Sequence, residues 1–115
     1  MEYDLEERTK KFSKDILNFL KEIKCTNLNK NIIDQLIRSS TSIGANYCEA
    51  NGSSSKKDFR NKIYICKKEA KETMYWIELL SGLLLDTEKE GLKKMWKESK
   101  ELTLIFNKIS TSLNN

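Results

Sequence analysis

The chain of 115 residues contains no histidine, no proline and only four glycines. Without histidine, neither a Ser-His nor a Cys-His catalytic arrangement is possible, and the sequence has no glycine-rich phosphate loop. Because proline and glycine interrupt regular structure, their scarcity favours helices. We therefore predict an all-α protein that is not an enzyme and uses no cofactor.

Long apolar runs and paired cysteines are also missing. The first residues are acidic and contain no apolar run, so we expect no secretory signal. The longest apolar run, residues 76–85, contains Glu78 and is too short to span a membrane. Cys25, Cys48 and Cys66 are odd in number and lack metal-like spacing. We expect reduced thiols, a cytoplasmic location and no membrane partner.

Apolar residues recur every three or four positions in four segments, which predicts four amphipathic helices. The first spans about residues 4–24, and Thr and Asn residues after it can cap the second. Polar residues mark the other boundaries. Asn51-Gly52, which tolerate a left-handed backbone, end the second helix. Ser55 to Asp58 form a capping box for the third helix, and Asp86-Thr87 with Glu90 mark the start of the fourth.

The third helix has the most regular apolar seam. Its eight positions alternate steps of four and three residues: Phe59, Ile63, Cys66, Ala70, Thr73, Ile77, Leu80 and Leu84. Such a seam packs nearly parallel to its neighbours, and Ser40 and Gly44 of the second helix are small where a partner helix would come close. We predict one domain, residues 1–115, folded as an up-down-up-down four-helix bundle.

A second side of the third helix is strongly basic. Residues 56–71 hold seven basic and two acidic side chains, so this stretch carries all of the chain's net charge of +4. What we term the basic face combines cations with two tyrosines: Lys56, Lys57, Arg60, Tyr64, Lys67, Lys68, Lys71 and Tyr75. The cations could contact phosphates of RNA or DNA while the tyrosines stack on bases of any sequence. The alternative is that these lysines only keep the protein soluble.

Two further faces predict contacts between subunits. On the third helix, the mixed face holds Ile65, Glu69, Glu72, Trp76, Leu79 and Leu83. On the second helix, the small-polar face holds Arg38, Ser42, Asn46 and Glu49. A helix in a lone bundle needs one buried stripe, so the extra apolar surface favours self-association. The alternatives are a broad side of the same core for the mixed face and a solvated surface for the small-polar face. Arg38 and Glu49 could pair with another helix or another subunit.

A metal site is the best enzyme-like idea, because Glu69 and Glu72 lie three residues apart and Glu49 could be near. Bundle metal sites, however, use Glu-x-x-His pairs that project into the core. These carboxylates lie off the core seam and have no histidine. We predict salt bridges there and no metal.

Three features of the sequence stand out together: the run RSSTSIGANYCEA from Arg38 to Ala50, the segment from Ser55 to Phe59, and the pair Glu69 and Glu72. In these features the chain resembles the 23S rRNA-intervening-sequence protein family of small bacterial four-helix bundles. The relatives of this family include strongly basic accessory variability proteins of diversity-generating retroelements, which bind nucleic acid and a reverse transcriptase. The resemblance implies a ring-like homopentamer whose subunit contacts use the motif residues of the second helix and Glu69 or Glu72. This chain is only mildly basic by comparison.

Together these features predict a non-enzymatic, homo-oligomeric scaffold or binding module, a pentamer by resemblance. RNA or DNA, held on the basic face, is the first partner to test. The alternative is an accessory subunit that binds a protein encoded nearby and makes no nucleic-acid contact.

Overall fold

The computed structural model describes residues 4–114, which form four α-helices: α1 (Leu5–Lys21), α2 (Lys30–Asn51), α3 (Lys56–Ser81) and α4 (Asp86–Leu113). No β-strand occurs between residues 4 and 114. Each helix packs on the next, and α1 also touches α4. The diagonal helices do not approach each other closely at the backbone, but the rings of Tyr47 in α2 and Phe106 in α4 meet across the core, with centroids 5.7 Å apart. This confirms the predicted four-helix bundle, and the short connections are compatible with up-down-up-down topology.

The core follows the predicted seams closely. Six of the eight predicted seam positions, from Ile63 to Leu80, are buried in α3, and Phe59 is half-buried. The last predicted position, Leu84, is half-buried too but lies beyond the end of α3 at Ser81. Phe12 and Ile16 of α1, with Phe106 of α4, are among the largest fully buried side chains. Spacing at the helical period therefore located the core, because each seam turns toward the bundle axis.

Hydroxyl groups inside the core are satisfied by hydrogen bonds. Thr73 Oγ1 donates to Ser39 Oγ at 3.0 Å and links α3 to α2. Ser99 Oγ donates to the Ala70 carbonyl at 2.7 Å and links α4 to α3. Thr9 is also buried and donates to a carbonyl of its own helix. Because every such group has a partner, polar residues can occupy the seam without an unpaired buried atom.

Gly44 marks the close approach of α1 to α2 that its small size predicted. A Cβ atom at this position would lie 3.1 Å from Thr9 Oγ1 and 3.3 Å from Thr9 Cβ. Thr9 is buried and β-branched, so its side chain has little freedom to move away. The absence of a side chain at Gly44 therefore sets the separation of these two helices.

The side-chain cap expected at Ser55 is present at the start of α3, whereas the expected side-chain cap of α2 does not form, because the N-cap residue Asn29 makes no such bond to the helix. Ser55 Oγ accepts a hydrogen bond from the Asp58 N–H at 3.0 Å, which is one of the two bonds of a capping box. Before α2, the Thr26 N–H donates to Asn29 Oδ1 at 2.8 Å, and the Asn29 N–H donates to Thr26 Oγ1 at 3.2 Å. These reciprocal bonds fold the turn just ahead of the helix.

Two predicted helix boundaries were wrong, and one was right. α1 ends at Lys21 rather than near residue 24, because the next two N–H groups bond to carbonyls three residues back and tighten the last turn. The predicted end of α2 at Asn51-Gly52 is confirmed, although Gly52 has φ of −96° and does not adopt the left-handed conformation that it tolerates. α4 starts one residue earlier than its predicted cap, since Glu88 accepts from the Leu85 N–H at 3.0 Å.

Candidate nucleic-acid interface

The basic face lies on the outer side of α3. Its lysines and its arginine are exposed, except for the half-buried Lys67. Tyr64 and Tyr75 expose 58% and 54% of their surface, which is unusual for aromatic side chains. α3 thus presents all eight predicted residues along one side, because they share an arc of about 120° at 100° per residue.

The six cations of the basic face make no ion pair with any carboxylate in the described part of the chain. Lys67 Nζ instead lies over the Tyr64 ring, 5.4 Å from its centroid. Lys68 is near enough to help lower the pKa of Glu72 without bonding to it. On the opposite side of α3, Lys62 Nζ is 2.8 Å from a Glu49 carboxylate oxygen. Within α3, uncompensated positive charge is therefore concentrated on the basic face.

Arg38 joins α2 to α3 through a carboxylate cluster. Its Nη1 donates to both oxygens of Glu69 at 3.2 Å, and its Nη2 donates to Glu72. The Trp76 indole N–H donates to the same Glu72 oxygen at 2.8 Å, and Arg38 Nε donates to Gln35 at 3.0 Å. Three of the four charged residues of the predicted subunit contact thus find partners within one subunit.

The electrostatics of this cluster favour its charged form. The indole N–H of Trp76, followed by the guanidinium of Arg38, lowers the pKa of Glu72. Partial burial opposes the charge on Arg38, but the hydrogen bonds and charges of Glu72 and Glu69 outweigh it and raise the pKa of Arg38. The cluster therefore acts as a clamp between α2 and α3 at neutral pH.

The rest of the small-polar face bonds mainly to its own helix. Ser42 Oγ donates to the Arg38 carbonyl at 2.6 Å, and Asn46 Nδ2 donates to the Ser42 carbonyl at 2.8 Å. Glu49 accepts from Lys62 and holds the pKa of that lysine above its usual value. Each polar side chain on this face thus already makes a hydrogen bond inside the subunit.

The apolar members of the mixed face are less well covered. Leu79 and Leu83 are each 41% exposed, while Ile65 and Trp76 are half-buried. The Trp76 ring meets the Tyr75 ring edge-on, with centroids 5.0 Å apart. Exposed leucines beside a half-covered tryptophan make an apolar patch that continues from the clamp toward the C-terminal end of α3.

Neither a metal centre nor a membrane span is seen over residues 4–114. No three acidic or cysteine side chains there are placed to hold a metal ion, and Glu69 and Glu72 bond to Arg38 instead. None of the four helices combines the length and apolarity that crossing a bilayer requires.

Sequence reasoning missed one ion pair that closes the bundle. Arg8 of α1 donates through two nitrogens to the two oxygens of Glu98 of α4, both at 2.7 Å. These residues are 90 positions apart, so helical spacing could not pair them. The only feature of the sequence that pointed to this pair is that Arg8 and Glu98 are charged residues next to the apolar seams of their helices.

Comparison with known proteins decides the family. The family model described as 23S rRNA-intervening sequence protein matches residues 1–108. The chain belongs to this family. A family relative of known structure, a protein of unknown function of the S23 ribosomal protein family from Bacteroides thetaiotaomicron VPI-5482, is 34% identical. The match covers 91% of this chain and 96% of that one, with a TM-score of 0.76. No curated protein matches the chain.

Proposed function

We propose that this member of the 23S rRNA-intervening sequence protein family is a non-enzymatic binding module that contacts RNA or DNA through the basic face. The observation that carries the proposal is the row of six exposed or half-exposed cations without carboxylate partners. Elsewhere on α3, Lys62 is paired, so the row is not a general property of the helix. Phosphates would supply the missing negative charge.

The chemistry of the basic face suits contact with a phosphate backbone. Lysine and arginine side chains displace condensed counterions, and that release is favourable and does not depend on sequence. Tyr64 and Tyr75 add exposed rings on which bases of any kind can stack. We therefore expect binding that discriminates little among sequences and weakens steeply as salt rises.

Fluorescence anisotropy with labelled RNA and DNA oligonucleotides, titrated from low to moderate salt, tests this proposal. We expect the double substitution Lys67→Gln and Lys71→Gln to weaken binding several-fold and to flatten the salt dependence. The matched control, Lys10→Gln with Lys14→Gln on α1, removes the same charge from exposed positions and should bind like wild type. Absence of wild-type binding at low salt would contradict the proposal and favour an accessory subunit that binds only protein.

We also propose that the protein self-associates through the apolar part of the mixed face. Exposed Leu79 and Leu83 beside Trp76 support this, whereas Arg38, Glu69 and Glu72 are satisfied inside one subunit. The number of subunits, five, comes from the family resemblance alone. Light scattering should give a pentamer for wild type and smaller species for Leu83→Asp, with the exposed Leu28→Asp as control. A wild-type monomer at micromolar concentration would contradict this proposal.

The three thiols support a cytoplasmic location as part of the same proposal. Cys25, Cys48 and Cys66 are all free, and the first two are exposed. Exposed free thiols persist where the compartment is reducing.

A further inference from the structure

A second row of cations lies on α4, outside the basic face. Lys93, Lys97 and Lys100 are exposed and follow one another at steps of four and three residues. None of the three pairs with a carboxylate among the residues that the structure describes. Lys100 Nζ lies over the Trp96 ring, 5.5 Å from its centroid. We term these three lysines the α4 row.

The α4 row borders the seam between α3 and α4. Ser99 donates to the Ala70 carbonyl at 2.7 Å, and the Trp96 indole donates to Glu78 at 2.9 Å, so this side of α4 faces α3. At 100° per residue, Lys100 lies about 40° and Lys93 about 60° from Trp96 around the helix. The α4 row therefore stands on the solvent edge of the same seam that the basic face borders.

The two rows occupy successive parts of this seam. The four-residue connection 82–85 makes α4 run back along α3. Given the Ser99–Ala70 and Trp96–Glu78 bonds, the level of Lys100 is near residues 69–74 of α3, and that of Lys93 is near residues 76–81. The cations of the basic face end at Lys71. The α4 row thus begins at about the level where the basic face stops.

Together the rows form one track along most of the bundle. The cations of the basic face alone cover about 22 Å at 1.5 Å per residue, and adding the α4 row extends the track to about 34 Å. Phosphates of a stacked strand are spaced about 3.4 Å apart. The basic face then accommodates about seven nucleotides and the whole track about ten.

We propose that the ligand of this track is a single strand of nucleic acid, which runs from the basic face onto the α4 row. This inference rests on the proposed function of the basic face and adds the strand type, the second helix and the length of the site. A duplex hides the faces of its bases, whereas a single strand can stack them on Tyr64 and Tyr75, which are 58% and 54% exposed. Those rings are about 16 Å apart along α3, within the reach of one short strand.

The test measures affinity by anisotropy for labelled oligodeoxyadenylates of 4, 7, 10 and 13 nucleotides and for a ten-base-pair duplex. For wild type we expect affinity to rise up to about ten nucleotides and then to level off, with the duplex binding more weakly. The variant Lys93→Gln, Lys97→Gln, Lys100→Gln should level off near seven nucleotides. For this variant the plot of log K against log salt should become less steep by about two, because each of the three lost phosphate contacts accounts for about 0.7 of the slope.

Two controls separate this inference from the proposed function. Lys10→Gln, Lys14→Gln, Lys24→Gln removes the same charge from exposed positions elsewhere and should keep the wild-type length dependence. Tyr64→Leu with Tyr75→Leu should weaken single-strand binding by about tenfold or more and leave duplex binding unchanged. Circular dichroism checks that each variant is folded.

The outcomes are distinct. If Lys67→Gln with Lys71→Gln weakens binding but the α4 variant behaves like wild type, the track is overturned and the proposed function stands. If the duplex binds as tightly as the strand of equal length, the single-strand assignment is overturned. If wild type binds no oligonucleotide at low salt, both the inference and the proposed function are overturned.

Discussion

Replacing Arg38 by methionine measures how strongly the clamp holds α2 to α3. Methionine keeps a long apolar stem and a good helix propensity, so the change removes mainly the guanidinium. Its loss deletes the hydrogen bonds to Glu69 and Glu72. It also leaves two like charges one helical turn apart, and the side chain of Glu69 is only 14% exposed. Both effects lower the stability of the native state.

The magnitude follows from the exposure of the cluster. An exposed ion pair contributes about 0.2–1 kcal/mol, and a hydrogen bond to a charged group about 1.5–3 kcal/mol. The Arg38 side chain is 45% exposed, so solvent screens part of its interaction with both carboxylates. We expect the substitution to lower the free energy of unfolding by about 2 kcal/mol at pH 7. For a chain of this length that corresponds to a Tm lower by about 8 °C.

The loss of stability caused by Arg38→Met should become smaller as the pH falls. The pKa of Glu72 is lowered in the folded protein, so its contribution to stability is complete above the unfolded value of about 4.3. That contribution is lost as pH falls through the lower, folded pKa. The stability difference between wild type and the Arg38 variant should therefore be full at pH 7 and much smaller near pH 3.

Urea unfolding followed by circular dichroism at both pH values gives the required free energies. Lys30→Met is the matched control, because Lys30 forms an exposed pair with Asp34 on the same helix at 3.5 Å. It should cost no more than about 0.5 kcal/mol at either pH. The reasoning is refuted if Arg38→Met costs no more than this control, or if its cost is equal at pH 3 and pH 7.

Two further predictions concern packing and thiol chemistry. Gly44→Ala should lower the thermal midpoint, since the new Cβ would lie 3.1 Å from Thr9 Oγ1. Gly82→Ala is the contrast, because Gly82 has φ of −67° and no close contact outside its own turn, and it should raise stability by about 0.4–1 kcal/mol. Equal shifts of the two variants would contradict this reasoning. Burial raises the pKa of Cys66 to about 12, so mass spectrometry after native alkylation at pH 8 should show only the two exposed thiols modified. This burial contributes stability that is present below the unfolded thiol pKa and is lost as pH rises toward 12.

The core could be predicted from sequence because burial repeats with the helical period. From Ile63 to Leu80, each predicted seam residue of α3 is buried, including the polar Thr73. Ser39 and Thr9 were missed, since hydroxyl side chains carry no apolar signal. Both hydroxyl groups donate to carbonyls of their own helices. Because each group keeps a hydrogen bond inside the protein, its burial costs little free energy.

The partners of charged residues were harder to predict than their faces. Residue types placed Arg38 on the small-polar face of α2 and Glu69 and Glu72 on the mixed face of α3, but they could not say whether another helix or another subunit supplied the partner. The Arg8–Glu98 pair joins the two ends of the chain, and no local pattern encodes such a distance. Pairing across helices depends on their register, which the sequence does not state.

Of the two rows of cations, the basic face was predicted from the sequence and the α4 row was not. The basic face was found because residues 56–71 have a large excess of positive charge. The α4 row was missed because α4 as a whole holds six basic and five acidic residues and so looks neutral. Only the packing of α4 on α3 shows that Lys93, Lys97 and Lys100 border the seam between these two helices.

The connections also bear on the order in which the molecule assembles. α2, α3 and α4 follow one another through the four-residue links 52–55 and 82–85, whereas α1 is tied on by residues 22–29. Its contact with α4 is the smallest in the bundle. Closing short loops costs little entropy, so the three later helices should condense first and α1 should dock last. The amides of α1 would then exchange with solvent through a partial opening that leaves the other three helices folded.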